Sequence, residues 1–204
     1  MGELTASQPR YRLAFSVGGL FSNESVVAAA LFLERRDWAS VRAAIDADNL
    51  LRARTVASAK RQSRELVQRL AELADGEIEL LTDATANERG HLMWAAACRR
   101  YDLVGEFAEE VVRERFLLLK PTLVPDDFDS FVRFKAIWHP ELEALTESTL
   151  RKLRANVLLM LRQAGLLSPS GEILPCLLSP RVSEALRKRS PSDLRFFPTG
   201  GAAR

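Results

Sequence analysis

Between Thr55 and Leu73, the residues Val56, Ala59, Ser63, Leu66, Leu70 and Leu73 recur every three or four positions. A stripe at that spacing lies on one side of an α-helix, and it demands neighbours that cover it. The same period governs most of the 204 residues, while strand-like alternation is scarce. The predicted fold class is therefore all-α.

Ser22 and Asp37 are placed as N-caps of two early helices, the first reaching Arg36 and the second holding Trp38, Val41 and Ile45. Asp75-Gly76 is read as a break. Helices are expected at about 87–100 and 102–119, the latter stopped by Pro121, and Pro125 opens another that His139-Pro140 closes. The last third changes character. A helix over 149–163 is followed by a short hairpin between Leu166 and Leu174, turning at Ser168-Pro169-Ser170-Gly171, and then by a helix from Ser179-Pro180 to about Arg189. Helix, hairpin, helix fits a winged-helix module as well as a hairpin capping a bundle. Pro121 to Pro125 is the expected hinge, which divides the chain into an N-terminal helical bundle over 1–120, a C-terminal helical module over 121–198 and a frayed tail at 199–204.

Composition excludes several classes. With 47% hydrophobic and 27% charged residues the chain is neither disordered nor membrane-embedded. The most apolar window, Val157 to Leu167, is broken by Arg162 and Gln163 and falls short of the ~20 residues of a bilayer span. The N-terminal dozen residues are polar, without an export signal, and Cys98 and Cys176 are far apart, which suits a reducing cytoplasm. No membrane insertion is expected. No glycine is followed by lysine, so a Walker-type phosphate loop is missing, and a Gly-x-Ser-x-Gly elbow is absent too. His91 and Cys98 share a helix face, and Asp127 and Asp129 sit close together, but packing and helix-start acids account for both. An enzyme is not expected, nor a metal or cofactor.

Charge segregation is the positive signal. The net charge is only +2, yet Leu50 to Leu70 carries six bases against one acid, and Ala71 to Glu88 six acids and no base. Tyr101 to Glu147 is locally −6, and Ser148 to Arg204 is +7. Such blocks either neutralise one another inside the fold or raise surface potentials that the total conceals. Arg54, Arg61 and Arg64 share a polar helix face with Lys60 at its flank and Arg52 just upstream, while Arg151, Lys152 and Arg162 lie off the apolar stripe of the 149–163 helix. These eight residues are the predicted nucleic-acid-binding set, reaching phosphates rather than bases, and duplex DNA is the expected partner, with RNA the alternative. A protein adaptor whose basic faces dock acidic partners is the reading from another class.

Tyr11-Arg-Leu-Ala-Phe-Ser-Val-Gly-Gly-Leu-Phe21, Asp37-Trp38, Asn49-Leu-Leu-Arg-Ala-Arg-Thr55, Ser58-Ala-Lys-Arg61, Arg99-Arg-Tyr101 and Trp138-His-Pro-Glu-Leu142 follow one another in an order and spacing that resemble the BrxA family of BREX bacteriophage-exclusion systems. The resemblance extends through Leu166-Leu167 and Ser179-Pro180-Arg181 to Phe197-Pro198. It implies a small helical, non-enzymatic component of a multi-gene anti-phage defence locus, with the other BREX components as partners. The family has been likened to RNA-binding antitermination factors and is also thought to bind DNA. An older description of the family as an inner-membrane protein disagrees with the hydropathy. No catalytic motif comes with the resemblance.

Overall fold

In the computed structural model, residues 10–15 and 19–200 are described. Eleven α-helices follow one another among them: α1 (Glu24–Arg35), α2 (Trp38–Ala47), α3 (Val56–Leu70), α4 (Asp75–Asp83), α5 (Ala86–Arg100), α6 (Asp102–Phe107), α7 (Glu114–Leu117), α8 (Pro125–Ala136), α9 (Pro140–Glu143), α10 (Glu147–Gln163) and α11 (Pro180–Arg187). A π-helical segment, Ala108–Arg113, joins α6 to α7, and a 3₁₀ turn, Asp193–Phe196, follows α11. Helix dominates, as the periodicity predicts.

α5 is the axis of the molecule. Ten of its fifteen residues are buried, so it is covered all round, with α3, α4, α6, α10, α11 and the 3₁₀ turn packed against it. A Cβ at Gly90 would sit 3.2 Å from the Gln163 carbonyl, which is how closely α5 and α10 approach. The buried apolar residues form one continuous cluster that takes in Phe15 and Leu20 near the beginning and Phe196 and Phe197 near the end. Trp94 Nε1 donates to the Phe196 carbonyl at 3.0 Å and pins the C-terminal segment to α5.

Two predicted caps are in place: Asp37 accepts from the N–H groups of Ala39 and Ser40, and Ser179 from Val182; Thr55, not foreseen as a cap, accepts from Ser58. Others shift. Asp75 and Gly76 open α4 instead of breaking the chain, because the Glu77 carboxylate reaches back to the Ala74 N–H and closes the first turn. Ser22 is not the cap of α1, which begins at Glu24 after Asn23. Val56, assigned to the buried stripe, is 72% exposed, and Thr55 and Ala57 beside it at the start of α3 are exposed too. Between Leu166 and Leu174 no strand forms among the described residues. Two isolated antiparallel bridges pair Leu167 with Ile173 and Thr122 with Glu172. The turn leaves few residues free to pair, and the Pro121 to Leu123 segment takes the outer side, with Leu123 N–H donating to Gly171 and Ile173 N–H to Pro121. The tail expected at 199–204 lies outside the described residues from 201 onward, as does Gly18.

Candidate nucleic-acid interface

The charged blocks have different fates. Arg69, counted in the basic block around α3, is fully buried and donates through Nε to Glu65 and through Nη1 to the Gly19 carbonyl. Tyr101 donates to the same Glu65, and burial together with that carboxylate raises the phenol's pKa. Arg69 and Glu65 thus cancel each other inside. Arg52, Arg54, Lys60, Arg61 and Arg64 are all exposed, and among the described residues none of the five is paired with a carboxylate. The C-terminal block is partly consumed. Arg154 pairs with Asp129, Arg181 with Asp83 and Glu88, and Arg195 with Glu109. Both fates weighed from sequence occur, in different parts of one molecule.

The α2–α3 loop aims two of these bases. The Asn49 amide accepts from the Ala53 N–H and donates to its carbonyl, bracing a turn that the Arg52 N–H closes onto the Asn49 carbonyl. The brace holds Arg52 at φ 50°, in the left-handed region, where an L-residue pays ~1–2 kcal/mol. Arg52 and Arg54 line a cleft of about 760 Å³, with Phe21 (φ 59°), Ser22 and Glu24 from the start of α1, Ser58 from α3, Asn87 from α5 and Gln163 from α10. The N-terminal ends of α1, α3 and α5 open onto this one space. Each contributes N–H groups without an intrahelical partner and the positive end of a macrodipole. Glu24 is the acid at the rim.

The eight predicted residues do not form one site. Lys60, Arg61 and Arg64 lie on the exposed face of α3 outside the cleft, and Lys60 borders a second hollow with Asp46 and Asn49. Arg162 is exposed beside Gln163, at the end of α10 that faces the cleft. Arg151 and Lys152 are exposed as well, but eleven and ten residues earlier on α10, roughly 15 Å away along its axis. Arg151 also lies 3.8 Å from Glu147. Sequence reasoning did not place Asn49, Ser22, Phe21 and Gln163 in the site, because they are uncharged and Ser22 reads as a helix cap.

The residues weighed for metal or nucleophilic chemistry are otherwise engaged. Cys98 is buried, and Asp127 accepts from the Val124 N–H and pairs with Arg115. His91 faces Cys176, not Cys98, at 3.6 Å. Burial pushes the Cys176 thiol up to about 12 and lowers the His91 imidazole. Both stay neutral, which is the reverse of an activated thiolate–imidazolium pair. Among the described residues, no group of three or more His, Cys, Asp or Glu side chains could hold a metal ion. No helix there is long and apolar enough to cross a membrane.

A family model described as BrxA matches residues 9–190. The chain belongs to the BrxA family. It is 29% identical over 164 residues to the BREX protein BrxA of Paramagnetospirillum magneticum, covering 80% of this chain and 82% of that relative. The BREX protein BrxA of Escherichia coli O9:H4 is 28% identical over 179 residues, with 87% and 84% covered. A crystal structure of an uncharacterized protein from Magnetospirillum magneticum superposes with a TM-score of 0.78 at 27% identity, over 88% of this chain and 93% of that one. The BrxA match takes in both the α2–α3 loop and α10.

Proposed function

We propose that this chain is a non-enzymatic component of a BREX anti-phage defence system that binds nucleic acid, duplex DNA first, through its phosphate backbone. The observation that carries the reading is the cleft, where Arg52 and Arg54 meet the N-terminal ends of three helices. A helix N-terminus stabilises an anion, and arginine grips phosphate oxygens in bidentate fashion. Outside the cleft, the exposed Lys60, Arg61 and Arg64 add positive charge along α3. From Thr55 to Arg64 the helix rises roughly 14 Å, a length of B-DNA that carries about eight phosphates, so several contacts fit at once. Names of the relatives support the BREX assignment.

Backbone contact accounts for the residue types present. Arginine and lysine dominate the edge, and among the described residues Phe21 is the one aromatic lining the cleft, too few for a stacking platform of the kind that single strands use. A gel-shift competition tests the choice: labelled 30-base-pair duplex is challenged with unlabelled duplex or with single-stranded RNA of the same length. Duplex DNA should displace the label at the lower concentration. RNA competing better by tenfold or more would transfer the cleft to RNA.

A further inference from the structure

Beyond the other end of α5 from the cleft lies a second surface, of the other sign. A groove of about 660 Å³ runs between the rod made by α6, the π segment and α7 and the end of α8, with Asp102, Glu106 and Glu110 on one wall and Lys135 and Trp138 on the other. Among the described residues three carboxylates and one ammonium line it, and the Tyr11 hydroxyl donates to Glu106 at 2.7 Å. Lys135 shows how the groove receives a cation: its Nζ lies 2.5 Å from Glu106 and 2.7 Å from Glu110, and 5.3 Å from the centre of the Phe131 ring. Asp102 remains exposed and Glu110 half-exposed, so carboxylate is left over.

Beside it lies an apolar hollow of about 500 Å³, lined by Val132, Ile137, Leu142, Leu145 and Leu150. Phe134, Ile137 and Trp138 stand between the two at helical spacing, 55%, 68% and 55% exposed. Large apolar side chains grouped at a cleft and rimmed by charge mark protein contact surfaces, and tryptophan is prominent among the residues that dominate binding. The carboxylates repel nucleic acid. The π segment supplies Glu110, and such segments are frequent at functional sites.

We propose that this groove docks a basic, apolar segment of another protein, which sets an arginine or lysine among Asp102, Glu110 and the Trp138 ring and an aliphatic side chain in the neighbouring hollow. A cation there gains both ion pairing and cation–π attraction. A second copy of this chain is the poorer fit. Its basic α3 face offers Val56 as the one large exposed apolar residue, and the hollow needs more. The two surfaces together would let the protein hold DNA with one side and a defence partner with the other.

Fluorescence anisotropy on the full chain tests this with two labelled probes, a twelve-residue peptide alternating leucine with arginine and the same peptide with glutamate for arginine. The arginine peptide should bind. Its affinity should fall at least tenfold with Trp138→Ala, and separately with Asp102→Asn plus Glu110→Gln, while melting temperature and DNA binding stay at wild-type values. Equal affinity for the two peptides, or no loss in either variant, overturns the proposal. Sedimentation velocity supplies the remaining arm: a wild-type dimer that Trp138→Ala dissociates would assign the groove to a second copy and likewise overturn it.

Discussion

Gln163, the last residue of α10, accepts a hydrogen bond of 2.7 Å from the backbone N–H of Leu20. On the other side of the same segment Arg69 donates to the Gly19 carbonyl, so residues 19 and 20 are clasped between α3 and α10 at the edge of the basic cleft. A Cβ at 19 would fall 1.9 Å from Gln163 Oε1, so any larger residue requires the amide to move. Gly19→Ala should swing the amide away and leave the Leu20 N–H without its partner, at ~1–3 kcal/mol. Thermal melts should show a loss of a few degrees in Gly19→Ala and in Gln163→Ala, with the double variant losing less than the sum.

Arg52 separates binding from stability. Glycine accepts the φ of 50° without strain, so Arg52→Gly should melt within a few degrees of wild type while losing one phosphate contact. Duplex affinity should drop severalfold and its salt dependence become shallower by about one ion. A variant that binds as tightly as wild type removes Arg52 from the interface.

Leu66 is fully buried on α3, on the side away from Arg61 and Arg64. Leu66→Ala should cost about 2–5 kcal/mol through lost packing and a residual cavity. Denaturant unfolding would measure it. A cost below ~1 kcal/mol would mean that α3 is not anchored as its stripe implies.

Arg99 is buried against two acids, with both Glu77 oxygens at 2.6 Å and Asp193 at 2.7 Å, and so ties α4, α5 and the 3₁₀ turn together. Arg99→Met would leave two buried carboxylates uncompensated, which typically costs ~3–5 kcal/mol. Lysine at this position keeps the charge but loses the fork, so Arg99→Lys should be intermediate in the same unfolding series.

Acid sensitivity should trace in part to Glu88. Arg181, then Ser179 and the Thr85 N–H, donate to its carboxylate and hold its pKa well below the ordinary glutamate value. With the folded pKa depressed, the unfolded chain takes up the proton first, so this stabilisation is complete above the unfolded value of about 4.3 and is lost as pH falls below it. Melting temperature should therefore decline from pH 5 to pH 3, and Glu88→Gln should flatten that decline while lowering the plateau at pH 7. An unchanged profile in the variant would assign the acid transition to other groups.

How much was legible in the sequence depended on how local each feature is. Repeats of three and four, and caps such as Asp37 and Ser179, act within one or two turns, and they located most helices. The start of α4 was hidden because Asp75-Gly76 reads as a turn until the reach of Glu77 back to Ala74 is seen. Exposure of the α3 bases followed from their phase relative to Leu66 and Leu70. The burial of Arg69 did not, since its partners include Gly19, fifty residues upstream. The acidic groove was invisible for the same reason: Tyr11, Glu106 and Trp138 meet only in three dimensions.

The most direct test of the central claim is the duplex DNA dissociation constant, measured at 50, 100 and 200 mM salt for wild type and for the variant carrying Arg54→Glu, Arg61→Glu and Arg64→Glu. With about three to five phosphates engaged, wild-type affinity should fall roughly 40- to 500-fold across that range, and the variant, melting like wild type, should bind far more weakly at every salt concentration. A salt-independent constant, or wild-type affinity in the folded triple variant, would contradict phosphate binding at this cleft and along α3.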